Sequence, residues 1–311
     1  MVLSREVLER AVFSVGGQDY RWADVIAAAR AWSRWDETAG ETRIGLAAVE
    51  RLSQPIAEAE LDEARQAFRY ARGLIAAEEM EAWLERWALK ATEWTGYLRR
   101  EIARAQAVGE GGAAPDEADV WAEVVCSGEL AVWARDLAAR AAAAQAGGTE
   151  PGQVEPDLAR MDEEHASFVE RALTPEAAAK ALELWSSDWV RLSYIALEFP
   201  AAAMASEAAL LLREDGLAPP DVAERAGVAL QERETFLEDV EPGLSETLLS
   251  APVGELVGPV PVEGGFALLS VTEKIAPTLA DPVIQGRLQE EVPRRALERE
   301  VRNRVQWHEH L

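Results

Sequence analysis

The sequence has little of what most site chemistry needs. Its one cysteine, Cys126, excludes an internal disulfide and a cysteine-based zinc centre. With only three histidines in 311 residues, a multi-histidine metal site is not expected either. Positive charge is scarce: 31 Lys and Arg stand against 56 Asp and Glu, a formal net charge of −25. That balance argues against nucleic acid or an anionic membrane surface as a partner, since both call for a basic face. No run of about 18 apolar residues occurs, so no transmembrane helix is expected. The opening Met1-Val2-Leu3-Ser4-Arg5-Glu6 lacks a cationic stretch before an apolar core, so no signal peptide is read and a cytoplasmic location is expected. Gly16-Gly17 and Gly264-Gly265 suit hairpin turns and match neither a dinucleotide fingerprint nor a phosphate loop, so no cofactor is expected.

What is present is a folded chain. Hydrophobic residues make up 49% and charged residues 28%, too apolar for disorder. At roughly 150 residues per domain the length suggests about two domains. The first 190 residues are rich in Ala, Glu, Arg and Leu, which are strong helix formers. Val12–Val15, Gly16-Gly17 and Gln18–Trp22 predict a hairpin, followed by a helix from Trp22 to Trp35. Residues 60–107 form a second helical block. A loop at 109–115 precedes Asp116, a candidate cap for a helix running through Trp121 and Trp133. A further loop spans 147–152, and a helix is expected over 156–172. Thr174-Pro175-Glu176 then opens another helix, with Thr as cap and Pro at its first position.

Near residue 189 the texture changes. Val190–Leu197 reads as a strand, helices follow from Ser206, from Pro219 and from Gly243, and Phe266–Val271 reads as a second strand after a turn at Glu263-Gly264-Gly265. The chain is therefore mostly α with an α+β module. Ile284, Leu288, Val292, Leu297, Val301 and Val305 put one apolar stripe on a closing helix over 281–307, which Pro293 is expected to kink or split. Arg294, Arg295, Arg299, Arg302 and Arg304 are interleaved with glutamates, which favours an ion-paired face over a nucleic-acid patch.

The module resembles parvulin-type peptidyl-prolyl isomerase domains. The residues that carry the likeness are Arg191-Leu192-Ser193-Tyr194-Ile195-Ala196, Gly254-Glu255-Leu256-Val257-Gly258-Pro259-Val260 and Gly265-Phe266-Ala267-Leu268-Leu269-Ser270-Val271. The hairpin and helix at 12–35, the stretch Trp83–Leu89 running on to Arg100, and the closing helix are similar to the helical part of SurA-type chaperones. This resemblance implies a helical chaperone unit over 1–188 plus 276–311, with a parvulin-like module, 189–275, inserted. It also implies a peptide-binding pocket at Tyr194, Val240, Leu244, Leu249 and Phe266. Two histidines typical of active parvulins are replaced by Tyr194 and Ala267, and the usual polar Gly-Gly-Asp-Leu-Gly loop is absent from 227–239.

Proline isomerisation breaks no bond, but it must cross a barrier of about 18–20 kcal/mol of lost amide resonance. A pocket stripped of its polar groups can still bind without turning over. The expected function is a non-catalytic holder of unfolded or precursor peptides, with or without proline, for instance for a modifying enzyme. A weak prolyl isomerase is the alternative. Of the eleven tryptophans, Trp32 and Trp35, Trp83 and Trp87, and Trp185 and Trp189 are helically spaced. Core packing accounts for them, and an aromatic cradle for clients is the alternative. Glu163-Glu164-His165 and His308-Glu309-His310 lack a third ligand on one face, so no metal is expected. Cys126 without a nearby histidine is not expected to be a nucleophile.

Overall fold

The computed structural model describes residues 4–107, 111–150 and 152–309. Gly109 and Glu110 of the first expected loop, Pro151 of the second, and His310 lie outside the described residues. The chain divides into two compact units, Met1–Arg171 with Arg295–Leu311, and Ala172–Arg294.

The first unit opens with α1 (Arg5–Glu9) and the hairpin β1 (Ala11–Val15) and β2 (Gln18–Arg21), joined by Gly16-Gly17. Helices α2 (Trp22–Ala31), α3 (Arg34–Arg51), α4 (Glu58–Ala71), α5 (Ala77–Arg86), α6 (Ala91–Gln106), α7 (Glu117–Ser127), α8 (Glu129–Ala146) and α9 (Val154–Ala172) follow. Asp116 caps α7, its carboxylate accepting the Asp119 N–H. The single helix expected through Trp121 and Trp133 is broken at Gly128, whose φ of 90° is left-handed and ends α7.

The aromatic residues hold this unit together. Trp22 meets Trp87 edge-on at 5.3 Å, Trp87 meets Trp121 at 6.4 Å, and Trp35 lies 6.3 Å from Trp133. Trp83 packs edge-on against Phe68. Such pairs add about 0.5–1.5 kcal/mol each beyond the area they bury. The spaced tryptophans are thus packing partners. Trp32 lies beneath the Arg140 guanidinium, and its indole N–H donates to Asp162 at 3.1 Å.

The second unit begins with α10 (Pro175–Leu184), capped by Thr174 through the Ala177 N–H. Then come β3 (Arg191–Phe199), α11 (Ala202–Arg213), α12 (Pro219–Ala226), β4 (Leu230–Phe236), a 3₁₀ turn at Leu237–Asp239, α13 (Pro242–Ser250), β5 (Leu256–Val262) and β6 (Gly265–Ile275). The four strands form one antiparallel sheet in the order β4-β3-β6-β5. Side chains alternate across it. Leu192, Tyr194 and Ala196 share one core with Ala267, Leu269, Val271 and the α13 residues Leu244 and Leu248. Leu197, Phe199 and Leu268 face the other way, into a core closed by α11 and α12.

Helix α14 (Pro282–Arg304) carries the chain from the second unit back to the first, and β7 (Val305–Trp307) ends it. Residues 172–188 and 276–294, expected with the helical unit, fall in the second. The apolar stripe accounts for this: Ile284, Leu288 and Val292 pack with Ala181, Trp185 and Trp189. Pro293 does not split α14, which runs on through it. The helix ends three residues before the expected 307, because Val305, Gln306 and Trp307 pair with Val15, Ser14 and Phe13 of β1. The order of this second sheet is β2-β1-β7. Arg294 pairs with Glu291, and Arg304 with Glu300 at 2.9 Å, so this stretch of α14 is an ion-paired face.

Candidate peptide-binding site

The site follows from the alternation of β3. Tyr194 points to the α13 side of the sheet, where it is buried and lies opposite Arg233 of β4 and Val271 of β6. Beside it opens a cavity of about 410 Å³, lined by Tyr194, by Glu232, Arg233, Glu234 and Thr235 of β4, and by Asp239, Val240, Glu241 and Leu244. Val240 and Leu244 form its apolar wall and Tyr194 supplies a hydroxyl. The rim is acidic. Glu234 is within 3.5 Å of Arg191, and Asp239 accepts from Arg287 at 3.2 Å. Arg233 is held by Glu198 at 2.8 Å and by Gln231. The carboxylates of Glu232 and Glu241 have no side-chain partner among the described residues, so the cavity presents net negative charge.

Three of the five expected peptide-binding residues, Tyr194, Val240 and Leu244, come together here. The other two do not. Phe266 stands on the opposite face of the sheet, packed into the α11–α12 core, because residues 266 and 267 of one strand cannot face the same way. Leu249 is 41% exposed on α13 and is not part of the cavity wall. Ala267 shares the Tyr194 face but is buried and carries no functional group. Sequence reasoning missed β4 altogether. Gln231-Glu232-Arg233-Glu234-Thr235 shows no apolar alternation, which is the signal a half-buried strand would give. Its polarity has a reason in the structure: β4 is an edge strand, exposed along its middle.

The three histidines of the chain, His165, His308 and His310, all fall outside residues 172–294, as does Cys126. No group that ordinarily titrates near neutrality therefore stands in this unit. Cys126 is buried in α7, and burial pushes its thiol up to about 12, which leaves no thiolate to act as a nucleophile. Glu309 is taken up by Arg86 and lies 3.7 Å from Arg10, while His308 sits 3.2 Å from the Ser14 hydroxyl at the end of β1.

No family model matches the chain, and no curated protein matches it. Among solved structures, the foldase protein PrsA from Lactococcus lactis is similar over 97% of this chain and 96% of that one, at 8% identity and a TM-score of 0.30. PrsA from Streptococcus pneumoniae covers 95% and 93%, at 9% identity and 0.30. A SurA-like chaperone from Campylobacter jejuni covers 97% and 100%, at 9% identity and 0.22. The structural neighbours are PrsA and SurA-like chaperones over nearly the whole chain.

Proposed function

We propose that the chain is a peptide-binding chaperone whose parvulin-like second unit holds extended segments without isomerising them. The observation that carries this is the cavity where Tyr194, Val240 and Leu244 meet beside an edge strand. An extended client can pair its backbone with the free edge of β4 while one side chain enters the apolar wall. Such contacts tolerate many sequences. The free carboxylates of Glu232 and Glu241 favour clients of neutral or positive charge. Unfolded chains and precursor peptides awaiting modification both present segments of this kind.

Turnover needs more than the cavity supplies. The twisted amide must be bound better than the planar one by fixed polar groups in a dry site. Ala267 offers none, and the Arg233 guanidinium is already held by Glu198 and Gln231. A prolyl isomerase assay on short proline peptides is expected to give a rate constant at least about a hundredfold below that of an active parvulin, a loss of about 3 kcal/mol of transition-state stabilisation. Fluorescence anisotropy of labelled extended peptides is expected to show binding at tens of micromolar. Glu232→Arg with Glu241→Arg, both at exposed positions, should weaken the basic peptides selectively. An isomerase rate near that of an active parvulin, or no peptide bound and no suppression of client aggregation, would overturn the reading.

A further inference from the structure

A second cavity lies wholly within the first unit. It encloses about 640 Å³ and is walled by Arg34, Glu37, Thr38 and Glu41 of α3, Tyr97, Glu101 and Arg104 of α6, Glu123 and Ser127 of α7, and Glu129 and Val132 of α8. We propose that this cavity takes the cationic side chain, lysine or arginine, of a bound peptide, which gives the proposed chaperone a second anchor point. The inference rests on the peptide-binding reading, and the second unit plays no part in its geometry.

The charges of the wall decide the sign of the ligand. Five glutamates face two arginines, and both guanidiniums are already taken. Arg34 pairs with Asp136, and Arg104 with Glu101 and with Glu123 at 2.5 Å. Glu123 also accepts from Arg100 at 3.0 Å, and Arg100 reaches Asp119 at 3.1 Å, so this buried network is closed on itself. The buried Nε–H of Arg104, which has no partner among the described residues, lies against Gly45 of α3. Glu37, Glu41 and Glu129 have no side-chain partner among the described residues. Glu37 and Glu41 stand four apart on one helix face, where like charges repel. A cation between them relieves that repulsion.

A second feature points to a ligand independently of the acids. Tyr97 lines the cavity, is only 8% exposed, and its hydroxyl makes no hydrogen bond among the described residues. Burial first, and the Glu101 carboxylate second, raise the phenol above its ordinary range, so it remains a neutral hydroxyl able to donate to a peptide carbonyl. Size points the same way. A water molecule occupies about 30 Å³, so the space fits a side chain with its stem rather than a bare ion. Tyr97 and Val132 give that stem an apolar wall to lie on while the charged head stays among the carboxylates.

The test titrates the full chain, at low salt, with an extended peptide carrying one central lysine and with its twin carrying norleucine there. Nα-acetyl-lysine methylamide is the free-amine probe. The lysine peptide is expected to bind about tenfold tighter than its twin, and Glu37→Gln, Glu41→Gln and Glu129→Gln together, all at exposed positions, to erase the difference. Tyr97→Phe should weaken the lysine peptide about three- to tenfold at an unchanged melting temperature. Equal affinity for the two peptides, or a difference that survives in the triple variant, overturns the proposal. Tighter binding of the free amine than of the peptide overturns it in favour of a small-amine site. If neither peptide binds, the chaperone reading falls. The second-anchor proposal then falls with it, whereas loss of the lysine preference with peptide binding intact overturns the second anchor alone.

Discussion

At the scale of single residues, the charge state of His165 is set by its surroundings. It sits on α9, partly buried, and burial first and the Arg140 guanidinium second hold its imidazole below the ordinary value near 6.5. Asp162 on its own helix and Asp136 on α8 pull the other way and lose. The unfolded chain takes up this proton at a higher pH than the folded chain does. Below about 6.5 the unfolded state therefore binds more protons at this site, and stability falls as the pH drops towards the lower folded value. Above 6.5 both states are neutral and the site contributes no slope. His165→Gln is expected to flatten the loss of stability between about pH 6.5 and 5 without changing stability at pH 8. Urea denaturation across that range measures it, and an unchanged slope would assign the acid loss to the carboxylates alone. Arg140 earns its influence by its position: it pairs with Asp162 at 2.5 Å and covers the Trp32 ring.

At the scale of elements, α3 packs closely on α6 at a glycine. A Cβ built on Gly45 would lie 2.9 Å from the Arg100 Cβ and 2.9 Å from the Arg104 guanidinium. The Arg104 head could swing away, but the Arg100 Cβ is fixed to its backbone. Gly45→Val is therefore expected to cost about 1–3 kcal/mol by overpacking, read from the midpoint of chemical denaturation. It should also disturb the closed Arg100–Glu123–Arg104 network that the helix pair holds. Breaking one partner of a buried ion pair is costly because the other charge is left stranded. None of this could be read from the sequence, where Gly45 is one small residue in a helical pattern. The hairpin at 11–21, the caps at Asp116 and Thr174, and the strand starting at Arg191 were legible, because each has a local signal in turn residues, capping residues or an apolar run. β4 and β7 were not. The first is polar because it is an edge, and the second is three residues that continue a helical stripe in all but their pairing. The candidate site was legible only as far as alternation was respected: Tyr194, Val240 and Leu244 converge, whereas Phe266 belongs to the opposite face. The cavity beside Tyr97 gave no sequence signal, since its wall is assembled from four helices.

At the scale of the whole molecule, the first unit is closed by residues that come almost 300 positions after it starts. Phe13 of β1 is fully buried, stacks on Tyr20 at 4.8 Å and meets Trp307 of β7 at 5.4 Å. Val12 accepts the His308 N–H through its carbonyl oxygen at 2.9 Å. Removing residues 305–311 strips β7 from β1, uncovers Phe13 and leaves β1 as an open edge. Calorimetry of the truncated chain should show the melting of the first unit lowered by about 2–4 °C for each kcal/mol lost, with the transition of residues 172–294 in place. Equal melting of both forms would mean that β7 contributes nothing to the unit it pairs with.

The same pairing orders events during synthesis. β1 leaves the ribosome early, and β7 follows about 290 residues later, an interval of about 15–60 s at translation rates of about 5–20 residues per second. Residues 172–294 are complete before β7 exists, so the second unit is free to fold while the nascent first unit still displays an unpaired strand edge. For that interval this chain presents the kind of open β-edge that a holding factor would shield.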